Sequence, residues 1–197
     1  MEHPVSELIT GIDLVEQQIK VARGEKLAFT QEDLSINGHA LEVRIYAEDP
    51  LNNFLPNVGT LETYIRPEGE GIRLDDGYEQ GQDIPIYYDP MIAKLITYGK
   101  TREEAIGLML KAIEGYHIEG VATTLPFGKF VCEHEAFTSG KFDTHFVKNY
   151  FSPEQLLEDQ KEEQEIAAAL AMQLFLKGKE QLKVVKNEDS NWKKSRI

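Results

Sequence analysis

The chain has 197 residues, a formal net charge of −13 and a single cysteine, Cys132. A surface this acidic repels nucleic acid and anionic membranes, so neither is expected as a partner. One cysteine excludes an internal disulfide, no apolar run approaches the roughly 20 residues that cross a bilayer, and no signal segment opens the chain. The sequence therefore predicts a soluble, cytoplasmic protein with one domain, or one domain and an appendage.

The first predicted element is helical and covers residues 3–27. Asp13 can cap a second start within it, and Glu16 completes an Asp-x-x-Glu capping box. Gly24 ends the segment. Apolar residues recur at helical spacing at Val15, Ile19 and Ala22. An amphipathic helix with one apolar stripe is expected here.

From His39 the period of the pattern changes to two, which is typical of a half-buried strand. Apolar residues occupy one predicted face, and polar or aromatic residues occupy the other. The apolar residues are Leu41, Val43, Ile45 and Ala47. The polar or aromatic residues are Glu42, Arg44 and Tyr46. Turn-forming residues separate further extended candidates, which cover residues 61–65, 72–74, 84–88 and 91–98.

Helices are predicted after the strands. One begins with the capping box Thr101-x-x-Glu104 and ends at Gly115, and another covers residues 125–134. A run rich in Glu, Gln, Ala and Leu, from Gln155 to about Gln181, predicts a long exposed helix. The last residues, 187–197, are expected to be loosely ordered. Strands followed by helices indicate an α+β fold.

The residues alone point to no self-sufficient active site. The sequence contains no glycine-rich phosphate loop, no Cys-x-x-Cys pair and no nucleophile elbow. Residues 132–135 (CEHE) carry side chains that can ligate metals. Neighbouring positions splay around a helix, however, so an ordinary helix terminus is the preferred interpretation.

Arg44 is the most distinctive candidate for a functional residue. An arginine in mid-strand offers a planar fork of donors on a rigid support, which suits a bicarbonate or a carboxylate. The alternative, favoured by the residues alone, is a surface salt bridge with Glu42 or Glu48. Glu2 and His3 are a second candidate, as an acid–base pair, although terminal residues usually fray.

Four short blocks of sequence stand out in chain order. They are residues 2–15 (EHPVSELITGIDLV), residues 38–50 (GHALEVRIYAEDP), Phe54-Leu55-Pro56 with Gly59, and residues 87–95 (YYDPMIAKL). The first resembles the pattern V-E-H-P-V-T-E-x-I-T-G-x-D-L-V of biotin-dependent carboxylases, and the second resembles their G-H-A-[IVL]-E-x-R-[IV]-x-A-E-D-P. The blocks cover residues 2 to about 150, so the chain is identified as a C-terminal piece of a biotin carboxylase.

The resemblance implies three regions. Residues 1–36 would end an ATP-grasp domain, residues 37–146 would form the biotin carboxylase C-terminal domain, an antiparallel sheet with helices, and residues 147–197 would form an acidic helical tail. Met1 stands where the family has valine, so an engineered or internal start is expected. The family's glycine-rich lid, adenine pocket and metal carboxylates precede the matched blocks. The fragment alone is therefore expected to be inactive.

The resemblance also implies roles for single residues. Glu2 matches the glutamate that deprotonates bicarbonate for attack on the γ-phosphate of ATP. Arg44 matches the arginine that contacts bicarbonate and stabilises the enolate of the ureido group of biotin. Thr144 and His145 fall near the adenine side of the family's site, with a merely structural loop as the alternative. No metal ligand is implied within the fragment.

Two further blocks carry weaker implications. Arg73, with the turn Glu70-Gly71, falls near the family's dimer contact, where Glu70 replaces an aromatic residue common in one subgroup. The run Tyr87-Tyr88-Asp89 is interpreted as structural, positioning the strand that follows it.

The cofactors implied for the intact enzyme are ATP with Mg²⁺ or Mn²⁺, and biotin; none is expected on this fragment. The chain lacks a Met-Lys-Met context, so biotin is expected on a separate biotin carboxyl carrier protein, with a separate carboxyltransferase subunit. Acetyl-CoA, propionyl-CoA and two-subunit pyruvate carboxylases are arranged in this way. A homodimer or higher oligomer is expected, because an apolar helix stripe would be exposed. The alternative is a noncatalytic assembly module, and a carbamoyl phosphate synthetase ranks last.

Overall fold

A computed structural model describes residues 2–85 and 87–180 of the chain. The predictions for residue 181 and for residues 187–197 lie outside this range. The chain divides into two compact units, Met1–Leu156 and Leu157–Ile197. The first unit contains all the candidate site residues, from Glu2 to His145, and the predicted elements that precede Gln155.

Two helices, α1 (His3–Thr10) and α2 (Leu14–Ala22), form the predicted helical start. Gly11 separates them with a left-handed φ of 75°, a conformation that glycine adopts without steric cost. The predicted second start at Asp13 is confirmed, because its Oδ1 accepts a hydrogen bond from the Glu16 N–H at 2.8 Å. The start is therefore a helix pair and not one continuous helix.

A three-stranded antiparallel sheet forms the centre of the first unit, in the order β1–β8–β6. Its strands are β1 (His39–Tyr46), β6 (Ile72–Asp76) and β8 (Met91–Gly99). Glu42 on β1 pairs with Ile96 on β8, which pairs in turn with Arg73 on β6. Two residues further along the strands, on the same face, Arg44 of β1 and Asp75 of β6 lie on either side of β8.

Shorter strands form three two-stranded antiparallel pairs. These pairs are β2 (Glu48–Asp49) with β3 (Leu55–Pro56), β4 (Gly59–Thr60) with β7 (Asp83–Ile84), and β5 (Thr63–Ile65) with β9 (His117–Glu119). The extended prediction for residues 84–88 is confirmed at Ile84 and wrong at Tyr87 and Tyr88, which lie in a turn and a bend; residue 86 lies outside the described residues. Strand β9 was not predicted, since three residues are too few to establish a period of two.

Five helices follow the sheet in the described part of the chain. They are α3 (Arg102–Glu114), α4 (Leu125–Glu133), α5 (Glu135–Thr138), α6 (Phe146–Tyr150) and α7 (Pro153–Glu180). Thr101 caps α3 as predicted, by accepting from the Glu104 N–H at 3.2 Å. In a full capping box the Glu104 carboxylate would accept from the Thr101 N–H. Here it accepts from the Lys100 N–H at 2.7 Å, one residue earlier.

The core lies on the apolar face of the central sheet. Helix α3 contacts β1, β6 and β8 on this side, and α4 packs against α3. Ile45 and Leu95, from neighbouring strands, are fully buried here, together with Met109 of α3. The predicted alternation along β1 is therefore confirmed for its apolar side. Among the described residues, no helix has both the length and the apolar character that crossing a membrane requires.

A buried tyrosine pair closes one end of this core. The hydroxyls of Tyr64 and Tyr116 are 2.6 Å apart, and the Tyr64 hydroxyl also donates to Asp76 Oδ2 at 3.1 Å. Since the single proton of the Tyr64 hydroxyl points to Asp76, the Tyr116 hydroxyl donates to Tyr64. Burial is the main cause that raises the pKa of Tyr64, to about 12.

The two tyrosines are expected to contribute unequally to stability. Tyr64→Phe removes both bonds and leaves the buried Tyr116 hydroxyl without its acceptor, so it is expected to cost about 2 kcal/mol of unfolding free energy. Tyr116→Phe removes one donor and is expected to cost about 1 kcal/mol. Urea unfolding followed by circular dichroism measures both. Equal losses, or a larger loss for Tyr116→Phe, would contradict the assigned direction of the bond.

Candidate functional site

The polar face of the central sheet is covered by α1, which contacts β1 and β8. The salt bridge that was considered for Arg44 was placed at the surface, and that placement is wrong for Glu42, whose side chain is only 4% exposed. Pro4 of α1 is buried. Because α1 lies on this face, the charged residues of the sheet meet those of the helix.

Arg44 is the centre of this charged face. Its Nη2 donates to Glu2 Oε1 at 2.7 Å, and its Nη1 donates to the Tyr46 hydroxyl at 3.4 Å. Its Nε lies 3.6 Å from Glu42 Oε1. The hydrogen bond with Tyr46 is the main cause that raises the pKa of Arg44, and the charges of Glu2 and Glu42 add to it. The guanidinium is thus held on three sides and stays charged.

Glu2 reaches Arg44 from the residue that precedes α1. The pKa of the Glu2 carboxyl is lowered, first by a hydrogen bond from its own backbone and then by nearby positive charges that include Arg44. Its side chain is 63% exposed. The carboxylate is therefore ionised at neutral pH and accessible from solution. The structure brings together the two residues that the sequence singled out, although 42 positions separate them.

Glu7 and Arg73 join the helix to the sheet on the same face. Arg73 Nη1 donates to Glu7 Oε2 at 2.8 Å, while the Arg73 Nε donates to Asp75 Oδ1 at 2.8 Å. Glu7 Oε1 also accepts from the Leu14 N–H at 3.0 Å. This network fixes α1, and hence Glu2, over the strand that carries Arg44.

Sequence reasoning missed the roles of Glu7 and Glu42. Glu42 was considered only as a surface partner of Arg44, and Glu7 was not considered. The available signal for Glu42 was its position two residues before Arg44 on one strand face. The signal for its burial was absent, because the covering helix lies about 30 residues away along the chain.

Thr144 and His145 lie elsewhere, in the exposed turn that begins α6. The His145 N–H donates to Asp143 Oδ1 at 2.8 Å, and its ring Nδ1 lies 3.5 Å from the same carboxylate oxygen. These contacts are local and stabilise the turn that precedes α6. The role on the adenine side of a nucleotide stays a prediction.

Residues 132–135, which were considered as a possible metal cluster, form a helix terminus, the interpretation that the sequence favoured. Helix α4 ends at Glu133, and the His134 Nδ1 accepts from the Ala136 N–H at 3.1 Å to cap α5. Burial raises the pKa of the Cys132 thiol to about 11. Among the residues whose side chains the structure describes, 2–85, 87–157 and 166–177, no group of three or more His, Cys, Asp or Glu is placed to hold a metal ion.

A pocket of about 340 Å³ lies beside the site, between β1 and α4. Its lining is mostly apolar, with Phe54, Phe127 and Val131, and Arg44 and Glu48 are among the polar residues. Burial is the main cause that raises the pKa of Glu48, and the charge of Asp89 adds to it. The pocket is therefore mostly apolar, and charged side chains form part of its lining.

The turn before β8 supports the structural interpretation for Asp89, while for Tyr87 and Tyr88 that interpretation stays a prediction. Asp89 Oδ1 accepts from the Met91 N–H at 2.9 Å at the start of that strand. The side chains of Tyr87 and Tyr88 are 90% and 82% exposed. Asp89 thus begins the strand, while the two tyrosines are open to solvent.

Comparison with family models matches residues 42–149 to the biotin carboxylase C-terminal domain, which is more than half of the chain. Residues 1–30 match the ATP-binding domain of the carbamoyl-phosphate synthase L chain. Glu2 and Arg44 thus fall in two different family matches.

Curated relatives give the same picture. Biotin carboxylase 1 of Bacillus subtilis is 51% identical over 150 residues, which cover 76% of this chain and 33% of that protein. The biotin carboxylase of Halalkalibacterium halodurans is 47% identical, over 76% of this chain and 33% of that protein. The chain therefore spans about a third of the length of these relatives.

The biotin carboxylase domain of 2-oxoglutarate carboxylase from Hydrogenobacter thermophilus has been solved as a dimer with MgADP, ADP and bicarbonate. It superposes with a TM-score of 0.75 at 44% identity, covering 76% of this chain and 33% of that one. The likeness extends over sequence and fold together.

Proposed function

Because the chain belongs to the family of the biotin carboxylase C-terminal domain, we propose that it is part of a biotin carboxylase, the ATP-dependent ligase that carboxylates biotin on a carrier protein with bicarbonate. The observation that carries the proposal is the 2.7 Å contact between Glu2 and Arg44. Each residue comes from a different matched segment. An ionised carboxylate beside a fixed guanidinium suits bicarbonate chemistry, because the carboxylate can accept a proton and the guanidinium can bind the anion.

In the proposed reaction, Glu2 accepts the proton of bicarbonate as a bicarbonate oxygen attacks the γ-phosphorus of ATP. The bond from that phosphorus to ADP breaks, and carboxyphosphate forms. Carboxyphosphate then separates into carbon dioxide and phosphate. The lowered pKa of Glu2 keeps this base free of a proton before the step begins.

Arg44 serves both substrates in this proposal. Its guanidinium pairs with the charge of bicarbonate. The phosphate released from carboxyphosphate then takes the proton of the ureido N–H of biotin, the ureido nitrogen attacks carbon dioxide, and Arg44 stabilises the negative charge on the ureido oxygen. Charge on that oxygen develops in the transition state, so a preorganised cation lowers the barrier. Arginine suits the role better than lysine because its planar fork stays charged.

ATP and its Mg²⁺ are assigned to parts of the intact enzyme that this chain does not match. Mg²⁺ is held by carboxylates and phosphate oxygens in near-octahedral geometry. The described residues of this chain supply no group of three acidic or histidine side chains for it. Thr144 and His145 stay a proposed contribution to the adenine side.

The partners in this proposal are a biotin carboxyl carrier protein and a carboxyltransferase subunit. Relatives include the small subunit of the 2-oxoglutarate carboxylase of Hydrogenobacter thermophilus, which is consistent with separate polypeptides. The final acceptor, an acyl-CoA or a 2-oxo acid, would be selected by the carboxyltransferase. The cytoplasm is the proposed compartment.

Bicarbonate-dependent ATP cleavage with free biotin tests the proposal. We expect no cleavage by this chain alone, and cleavage when it is co-expressed with the preceding two-thirds of a relative such as the Bacillus subtilis protein. Co-purification first establishes that the two parts associate. An associated mixture without activity would contradict the enzymatic proposal.

A second candidate function, assembly of the enzyme complex, is favoured by α7. Apolar side chains on this helix are more than half exposed, namely Ile166, Leu170, Met172, Leu174, Phe175 and Leu176. On α2, Val15 and Ile19 are each 49% exposed, as the sequence predicted. Exposed apolar surface of this kind is typical of protein interfaces.

The assembly candidate predicts self-association of the chain. Light scattering after size exclusion is expected to give at least twice the mass of 22.4 kDa. The double substitution Leu170→Lys and Leu174→Lys is expected to lower that mass, while Gln173→Lys on the same helix leaves it unchanged. A strict monomer at high concentration would exclude this surface as a self-association site.

A further inference from the structure

Glu42 carries a carboxylate that the proposed reaction does not use. It lies in the middle of β1, and its side chain is 4% exposed. Neither of its carboxylate oxygens has a hydrogen-bond partner in the described part of the chain. A buried, unsatisfied carboxylate is costly to fold, so a compensating interaction is expected.

The compensating charge is the guanidinium of Arg44, whose Nε lies 3.6 Å from Glu42 Oε1. This separation is long for a hydrogen bond but short for an ion pair in a site with little water. The two residues are two positions apart on one strand face, and both pair with the central strand β8. The backbone therefore fixes their spacing.

The three nitrogen atoms of the guanidinium have three different neighbours. Glu42 lies at Nε, Tyr46 at Nη1 and Glu2 at Nη2. Glu2 is 63% exposed and precedes the first helix, so its position depends on α1. Glu42 is buried on the same strand as Arg44. It is thus the neighbour with the least freedom to move.

We propose that Glu42 is a positioning residue that holds the Nε edge of the Arg44 guanidinium and directs the Nη1 and Nη2 edge toward the anionic substrate. This inference rests on the proposed function. A guanidinium held at its Nε edge keeps its orientation when bicarbonate displaces Glu2 from Nη2. Functional groups work best when packed residues hold their orientation.

Stability and activity are expected to respond in opposite directions when Glu42 is replaced. Glu42→Leu removes a buried carboxylate that has no hydrogen-bond partner among the described residues, while Arg44 keeps its contact with Glu2 and is 35% exposed. In the intact enzyme, Glu42→Leu is therefore expected to keep or raise the melting temperature. Because Arg44 loses its orientation, kcat/KM for bicarbonate is expected to fall about 10- to 100-fold. Glu42→Gln, which keeps the shape, is expected to lose activity in the same way.

The exposed Glu114, at the end of α3, provides the matched control. Glu114→Gln is expected to change neither the melting temperature nor kcat/KM. If Glu42→Leu and Glu42→Gln keep activity within twofold, the positioning role is wrong. It is also wrong if the activity of both variants falls only in step with their melting temperatures, since a purely structural ion pair would behave in that way.

Chemical rescue separates this inference from the proposed function. We expect guanidinium ion at millimolar concentration to restore part of the activity of Arg44→Ala, because Glu42 still provides its binding place. Rescue is expected to be at least about tenfold weaker in Arg44→Ala combined with Glu42→Gln. Equal rescue in both variants overturns the inference about Glu42. Full activity of Arg44→Ala without guanidinium overturns the proposed function instead.

Discussion

Arg44→Ala in the intact enzyme is expected to lower the turnover of biotin carboxylation by about 100- to 1,000-fold, the usual cost of removing a preorganised donor from a developing negative charge. The structure supports a large effect because the guanidinium is held at 2.7 Å from Glu2 and 3.6 Å from Glu42. No other described arginine combines these contacts with a place at the rim of the apolar pocket. Steady-state measurement of bicarbonate-dependent ATP cleavage with free biotin gives the value.

Two controls identify the cause of the loss. Arg44→Lys keeps the charge but not the fork, so it is expected to recover only part of the activity. Arg66→Ala removes an exposed arginine whose Nε donates to Asp76 at 2.5 Å, away from Glu2, and is expected to leave turnover unchanged. The assembly function makes the opposite prediction, normal turnover of Arg44→Ala with altered association. That result would reject the catalytic role of Arg44.

Gly120→Ala is expected to lower the unfolding free energy of the first unit by about 2 to 5 kcal/mol. Two costs add up, because alanine disfavours the left-handed backbone conformation and its Cβ would overpack the turn. Gly120 has a φ of +98°, and a Cβ there would collide with the Thr60 carbonyl oxygen and lie 3.0 Å from the Glu62 backbone nitrogen. This glycine follows β9, where the Glu62 N–H donates to the Glu119 carbonyl at 2.9 Å. The substitution therefore separates β5 from β9.

Gly107→Ala is the matched control for this glycine. Gly107 is exposed within α3, and a Cβ there would meet no atom within 4 Å. Alanine is the better helix former, so this variant is expected to gain about 0.5 to 1 kcal/mol. Chemical denaturation of both variants gives the difference. A loss for Gly120→Ala no larger than about 0.5 kcal/mol, the usual scatter of surface substitutions, would show that the turn adapts.

Local pattern was sufficient for the long elements of the fold. The apolar alternation from Leu41 to Ile45 predicted β1, and the capping residues Asp13 and Thr101 marked helix starts that the structure confirms. These signals are local because a strand face and a cap depend on residues within a few positions. Short strands such as His117–Glu119 could not be predicted, because a distant partner strand forms them.

The candidate site was predicted only in part. The four blocks of sequence identified Glu2 and Arg44 through resemblance, whereas the residues alone favoured a surface salt bridge for Arg44. That interpretation named Glu42 as a partner and was right about the pairing. It was wrong about the surface, since the Glu42 side chain is 4% exposed.

The amino-acid sequence by itself determined the fold class and the family, and it predicted Glu2 and Arg44, which the structure brings together. Only the tertiary structure decided that α1 covers the polar face of the sheet, that Glu7 and Arg73 hold it there, and that Glu42 is buried. The physical reason is that burial of a charged side chain depends on which distant element packs over it. A period of two along one strand records which face a residue occupies, but not what covers that face.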